Sequence, residues 1–456
     1  MSIGMGYRIT SSGIAAICCL LSVALAGARI DDGVTADGAA GADAPQATVM
    51  VDRTPAEKLP GWLQVGGQIR GRFESPSGTS LLNDNRDSYY LSRIRVDLGV
   101  KPFPWLRLFA EAQDARVGAY NAPAPSTIYN PMDLRQGYAE LAHEGRVSER
   151  FRAGRQELEF GGGRLISPSD WGMSRTFDAL DLSLSAGPAK VDLFAGSPVL
   201  IDPTRFDRHK PGEHLYGLYS SWSNLLPSLT VEPYLLFKTN VLIKGETGVL
   251  GDALVVSPGA RFVGKAPGRL DYIVEVVVQR GSYSSDRISS HAASAVAGWT
   301  VSHAGWKPRL SAEYTYASGD AASKDGARNT FDPFYPGNHS YYGMIDQFCW
   351  KNLKNYRAGF DFVAFKKLKI RGDFNDFYLA TVQDGLYSSS GSSVVLNRKA
   401  TSPHLGWELN SVALYQWSKI WKFGGGLGHL WAADFLKQSK FGLGYTYPYV
   451  MFVGSF

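Results

Sequence analysis

The sequence predicts an all-β fold: one transmembrane antiparallel β-barrel of about 18 strands, with 16 as the alternative. Three observations predict it. Apolar and polar residues alternate with period two in segment after segment, aromatic residues gather near the segment ends, and past the N-terminus no apolar run is long enough for a membrane-spanning helix.

The alternation is explicit in four segments. Between Leu91 and Val100, Arg93, Arg95 and Asp97 share one face and Ile94, Val96 and Leu98 the other. Between Leu270 and Gln279, Asp271, Glu275 and Gln279 oppose Leu270, Tyr272, Val274, Val276 and Val278. Arg309, Ser311, Glu313 and Thr315 oppose Leu310, Ala312, Tyr314 and Tyr316, and Arg357, Gly359 and Asp361 oppose Tyr356, Ala358, Phe360 and Phe362. A soluble antiparallel sheet also alternates. Recurrence to the end of the chain with aromatic ends favours the membrane, where such residues form interfacial girdles. Val450, Phe452 and Phe456 share the last parity, so the chain ends on an aromatic strand of the kind recognised in outer-membrane assembly.

Composition agrees. The 456 residues include 50 Gly, 23 Tyr, 23 Phe and 11 Trp with only 20% charged residues, and the mean hydropathy is -0.15. A helical membrane protein would be far more apolar, whereas a barrel averages a lipid-facing half against a wet half. The richest apolar stretch of the body, Ile273 to Val278, is short and interrupted by Glu275. If the chain enters a membrane, strands must cross it, and only a closed barrel leaves no unsatisfied backbone edge in hydrocarbon. Dividing roughly 395 residues by about 22 per strand and connection gives the strand number.

The N-terminus reads as an export signal over residues 1–28: Arg8, an uncharged run from Ile14 to Ala26, then small residues. About 13 apolar residues fall short of the roughly 20 of a spanning helix, so cleavage is expected in place of anchoring. Residues 29–60, rich in Ala, Asp, Gly and Pro, read as a flexible periplasmic leader, and 61–456 as the barrel. Cys18 and Cys19 leave with the signal, and Cys349 alone permits no internal disulfide.

The charges are selective in kind. From Gly61 to Leu180 there are 14 Arg and a single Lys, Lys101, against 14 acidic residues. Arginine offers a planar donor fork for bidentate carboxylate binding that lysine lacks. Such a set either pairs with Asp and Glu to fill the lumen or forms a track for a carboxylated polymer. Gly161, Gly162 and Gly163 permit positive φ in a turn able to fold inward, fixing Arg155, Arg164 and Arg175 nearby.

No enzyme pattern is present: no serine is flanked as G-x-S-x-G, and His143-Glu144 meets Val147 where a zinc-protease helix needs histidine. His291 with Ser294 and His404 with Ser402 read as loop polar residues. The run Asn83-Asp84-Asn85-Arg86-Asp87 lacks the Gly and final Glu of a calcium loop. No cofactor motif, phosphate loop or nucleic-acid module is found.

The segment FRAGRQELEFGGGRLISPSDWGMSRTFDAL, from Phe151, resembles the alginate export family of outer-membrane proteins. Its matching positions are Gly154, Arg155, Gln156, Gly161, Arg164, Leu165, Trp171, Arg175, Phe177 and Asp178; Gly162 stands where the family pattern has an Asp, which removes an expected salt-bridge partner. The run Phe331 to His339, with Tyr341-Tyr342-Gly343 and Asp346-Gln347, resembles that family's long loop ahead of a strand, and Asp133 to Glu140 a further strand. The resemblance implies a passive outer-membrane pore for an anionic, alginate-like polysaccharide, with outer-membrane lipid and periplasmic export or scaffold proteins as partners. Its expected lining is Arg70, Arg72, Arg93, Arg95, Arg152, Arg155, Arg164 and Arg175, with Arg93, Arg95, Arg152, Arg155, Arg164 and Arg175 forming the anion-selective part. The alternatives are a general diffusion porin for small anionic solutes and an outer-membrane enzyme.

Overall fold

The structure, a computed structural model, describes residues 59–79, 81, 85–301 and 305–456. The expected signal (1–28) and all of the leader (29–60) except Leu59 and Pro60 lie outside the described residues.

Eighteen antiparallel strands close on themselves: β1 (Leu63–Glu74), β2 (Tyr89–Phe103), β3 (Leu106–Gly118), β4 (Asn130–His143), β5 (Ser148–Gln156), β6 (Phe177–Ala186), β7 (Ala189–Leu200), β8 (Glu213–Leu226), β9 (Leu229–Lys244), β10 (Leu250–Ala266), β11 (Leu270–Tyr283), β12 (Asp286–Thr300), β13 (Arg309–Ala317), β14 (Leu353–Ala364), β15 (Leu368–Leu379), β16 (His404–Gln416), β17 (Trp421–Ala432) and β18 (Tyr445–Ser455). Closure runs from Gln68 opposite Ser455 to Glu74 opposite Tyr449. The larger of the expected strand numbers is the observed one. Among the described residues no helix is long and apolar enough to cross a membrane, as a strand-built span requires.

Side-chain parity follows the sequence pattern. Ile94, Val96, Leu98, Val276 and Tyr314 are exposed on the outer surface, whereas Arg93, Arg95 and Glu275 are buried inside and Glu313 is held within the lumen by Arg164 at 2.8 Å. A charge at an outward mid-strand position would sit in hydrocarbon. Val96→Arg is expected to cost about 2–4 kcal/mol; equilibrium unfolding in lipid vesicles measures it, and a neutral result would place Val96 away from lipid.

The two ends differ. Connections such as 104–105, 187–188 and 227–228 are minimal, whereas 157–176, 318–352 and 380–403 are long and all leave the opposite end. Short turns mark the periplasmic side and long loops the extracellular side. Exposed aromatics ring both: Trp62, Trp306 and Trp417 with the stacked pair Phe103 and Trp105 near the short turns, and Trp407 and Trp431 with the pair Tyr314 and Tyr356 near the long loops.

Candidate functional site: a lumen narrowed by two inward loops

Two of the long loops fold back into the barrel. The first, 157–176, leaves β5 through Gly161, Gly162 and Gly163, whose φ angles of 60°, 73° and 85° are all left-handed. A side chain in that region costs about 1–2 kcal/mol per residue, and a Cβ on Gly161 would meet the Tyr219 hydroxyl at 2.7 Å. Phe160, just before the turn, stacks on the inward rings of Phe194 and Tyr219 at 4.5 and 5.2 Å. The glycine-rich turn thus aims the loop across the lumen, as its sequence suggested.

Its far tip is clamped by the β1–β2 wall. Asp170 receives Arg93 through both carboxylate oxygens, at 2.8 and 2.9 Å, and Arg95 at 2.6 Å. Arg70 donates to the carbonyls of Asp170, Trp171 and Gly172 at 2.8, 3.1 and 3.1 Å. Arg72, paired with Glu74, donates to the Trp171 carbonyl at 2.8 Å, and its guanidinium lies 3.9 Å from the Trp171 ring centre. Burial alone would raise the Asp170 carboxyl, but the guanidinium groups of Arg93, Arg95 and Arg70 hold it well below the usual carboxylate range. Asp170 therefore stays charged at neutral pH.

The second loop, 318–352, zips onto the first. Ser167 donates its N–H to the Tyr335 carbonyl at 2.9 Å, Tyr335 donates to Leu165 at 2.9 Å and Gly337 to Gly163 at 3.0 Å. Arg175 ties both loops, donating to the carbonyls of Ser167 and Tyr335 at 2.9 and 2.8 Å. The wall holds this loop at many points: Glu213 accepts from the Tyr335 hydroxyl at 2.6 Å, Lys238 pairs with Asp332 at 3.0 Å, and Phe348 packs 4.6 Å from Phe377. Ile166, Phe331, Tyr342, Phe348 and Trp350 are fully buried in the resulting core. That core sits inside the barrel.

Of the expected arginines, Arg70, Arg72, Arg93 and Arg95 come together around residues 170–172. Arg164 lies apart, paired with Glu313 at 2.8 Å and reaching Glu275 at 3.9 Å. These wall carboxylates supply the partner that Gly162 does not. Arg152 faces Glu140 at 2.6 Å, and Arg155 faces Asp178 at 2.8 Å while donating to the Leu134 and Asp207 carbonyls. These two do not join either group. All eight engage carboxylates or backbone carbonyls, and Arg175 also lines a cavity.

That cavity, of about 250 Å³, lies between the zipped loops, Ser389 to Gly391 of the third long loop and the inner faces of β9 to β12. Four cations line it, Arg175, Lys238, Arg328 and Lys351, against one carboxylate, Asp332. Burial pulls the Arg175 guanidinium down to about 10, so it remains protonated at neutral pH, and burial also lowers the Lys351 ammonium. Arg328 rests 3.9 Å from the Tyr283 ring centre and forms no ion pair among the described residues. Burial pushes the Cys349 thiol at the cavity edge up to about 12, so it is protonated and inert. Among the described residues no group of three or more His, Cys, Asp or Glu is placed to hold a metal.

Sequence reasoning missed Lys238, Arg328 and Lys351. The arginine-dense stretch ends at Leu180, ahead of all three, and two of the three are lysines. One signal was available: Lys351 follows closely on the Phe331–Gln347 loop motif.

A closed barrel with a loop-narrowed, charged lumen defines an outer-membrane pore. The chain belongs to the alginate export family, whose model matches residues 61–441. No curated protein matches the sequence significantly. Solved structures share the fold at low identity. Pseudomonas aeruginosa OccK1 (OpdK) aligns at TM-score 0.59 and 8% identity over 86% of this chain and 98% of its own. Pseudomonas aeruginosa OccK8 (OprE) aligns at 0.58 and 10% over 86% and 98%, and OccD3 (OpdP) of the same organism at 0.57 and 10% over 89% and 93%.

Proposed function

We propose that this pore exports an anionic, carboxylated polysaccharide of the alginate type by passive passage through its lumen, without catalysis. The observation that carries the reading is the excess of four cations over one carboxylate around the cavity beside the inward loops; the family's description, alginate export, supports the polymer. In this reading Arg70, Arg72, Arg93, Arg95 and Arg164 hold the loops that shape the conduit, Arg152 and Arg155 contribute positive potential at the wall, and Arg175 joins Lys238, Arg328 and Lys351 in meeting the chain. Fixed guanidinium and ammonium groups lower the cost of dehydrating each carboxylate, and water left in an open cavity keeps every contact weak enough for the polymer to advance. Export or scaffold proteins would deliver it at the periplasmic mouth.

Planar-bilayer recordings test this. A uronate oligomer is expected to interrupt the current at concentrations where a neutral oligosaccharide of equal length does not. The same porin-like fold with a narrowed lumen also suits a diffusion porin for small anionic solutes. Anion-selective conductance without interruption by the oligomer would favour that second reading, and hydrolysis of the oligomer would overturn both.

A further inference from the structure

The lipid-facing surface is not uniformly apolar at its extracellular edge. On the outer face of neighbouring strands, Arg280 near the end of β11, Arg287 at the start of β12 and Lys354 at the start of β14 point away from the lumen. The register sets them along one extended strip: Arg280 pairs with Ser289 and Arg287 with Ser282, a diagonal step apart, whereas Lys354 pairs with Tyr316 of β13, which faces Ala293 of β12, further down the strand. His291 extends the patch, exposed on the same face and stacked 5.4 Å from Tyr316. Below them toward the midplane come Val276, Val278, Tyr314 and Tyr356, all exposed and apolar.

None of the three cations forms an ion pair among the described residues. Arg280 makes a single bond, to the carbonyl of its own neighbour Gln279 at 2.7 Å. Two carboxylates lie near. Asp252 on β10 accepts the Leu242 N–H at 3.3 Å, and Asp376 on β15 accepts from His404 and the Tyr378 hydroxyl at 2.8 and 3.0 Å. On another part of this rim Arg116 meets Asp114 at 2.8 Å. Three unpaired cations directly above an apolar band sit where the headgroups of the extracellular leaflet lie, and basic groups at a membrane surface bind anionic headgroups. An arginine fork suits phosphate oxygens in particular.

We propose that Arg280, Arg287 and Lys354 form a docking site for a phosphorylated glycolipid of the outer leaflet, its phosphates on the cations and its acyl chains on Val276, Val278 and the tyrosine rings. The site is on the opposite side of the wall from the conduit and does not depend on what the pore carries.

The test uses the whole barrel in neutral detergent, with heat-modifiable gel mobility reporting the folded fraction. Bisphosphorylated lipid A is expected to raise the unfolding temperature of the wild type at low concentration. In R280Q/R287Q/K354Q the concentration needed should increase on the order of tenfold to hundredfold. Should the triple variant fold poorly, R287Q and K354Q singly are each expected to show part of that increase. Equal response of folded variants and wild type would overturn the site. So would an equal effect of dephosphorylated lipid A, which would reduce the contact to acyl chains, or of phosphatidylglycerol, which would reduce it to general anionic attraction. An equal effect of inorganic phosphate would show that an ion and not a lipid is bound.

Discussion

Asp170→Asn is expected to open the pore. The substitution leaves Arg93 and Arg95, both buried, facing a neutral amide where each now meets a carboxylate at 2.8 and 2.6 Å. Breaking a buried pair by removing one partner costs about 3–5 kcal/mol, and here the cost falls on a loop whose remaining ties to β1 and β2 are carbonyl contacts from Arg70, Arg72 and Arg93 and the Arg72 guanidinium over the Trp171 ring. The barrel wall is held by its backbone ladder and does not depend on Asp170, so the variant should stay folded by gel mobility. Loop 157–176 should leave the wall, weakening the Ser167–Tyr335 zipper and raising single-channel conductance several-fold. Wild-type behaviour with pH gives an independent reading. Asp170 is depressed in the folded state from an ordinary value near about 3.9, so its contribution is complete above that value and disappears only as acid carries the pH down through the depressed one. Wild-type conductance should therefore hold steady through pH 5 and rise only in stronger acid, whereas the variant is open throughout. An Asp170→Asn pore with wild-type conductance would show that the clamp does not set the aperture.

The strands were legible in the sequence and the clamp was not, for a physical reason. Parity is local: Arg93, Ile94, Arg95 and Val96 declare two faces by adjacency, and one buried face fixes register along the whole strand. The glycine run at 161–163 was legible too, because consecutive left-handed residues require glycine. The contact between Asp170 and Arg93 joins residues far apart in the chain, and its existence depends on how a loop crosses a closed barrel. Asp170 in isolation is an ordinary loop carboxylate. The same holds for the cavity: Lys238 belongs to β9, Arg175 to the first loop and Arg328 and Lys351 to the second, and nothing in any one segment shows that they converge. Arginine density marked where the scaffold needs buried carboxylate partners, whereas the cations left to face a cavity are sparse and chemically mixed.

Reversing the charge of that cavity should have the second large effect. With Arg175, Lys238, Arg328 and Lys351 against Asp332, R328E/K351E changes the local balance from a surplus of cations to a surplus of carboxylates. Arg175 and Lys238 are left in place because they hold the Ser167, Tyr335 and Asp332 contacts; Arg328 rests on Tyr283 and Lys351 on Tyr387, neither in an ion pair among the described residues, and Asp332 keeps Lys238, so their loss strands no buried carboxylate. A charge-assisted contact is worth about 1.5–3 kcal/mol when made in full, and solvent in an open cavity reduces that substantially. About tenfold weaker oligouronate block per charge removed is the expected scale. The reversal potential should move toward cation selectivity at low salt, and the difference from wild type should shrink at 1 M salt, where the Debye length falls to about 3 Å. Arg152→Gln serves as the contrast: its guanidinium is occupied by Glu140 and is not among the groups lining the cavity, so its effect on block should be small. A charge-reversed pore that is folded, anion-selective and still blocked at wild-type concentrations would remove the cavity from the conduit and return the weight to the wall arginines.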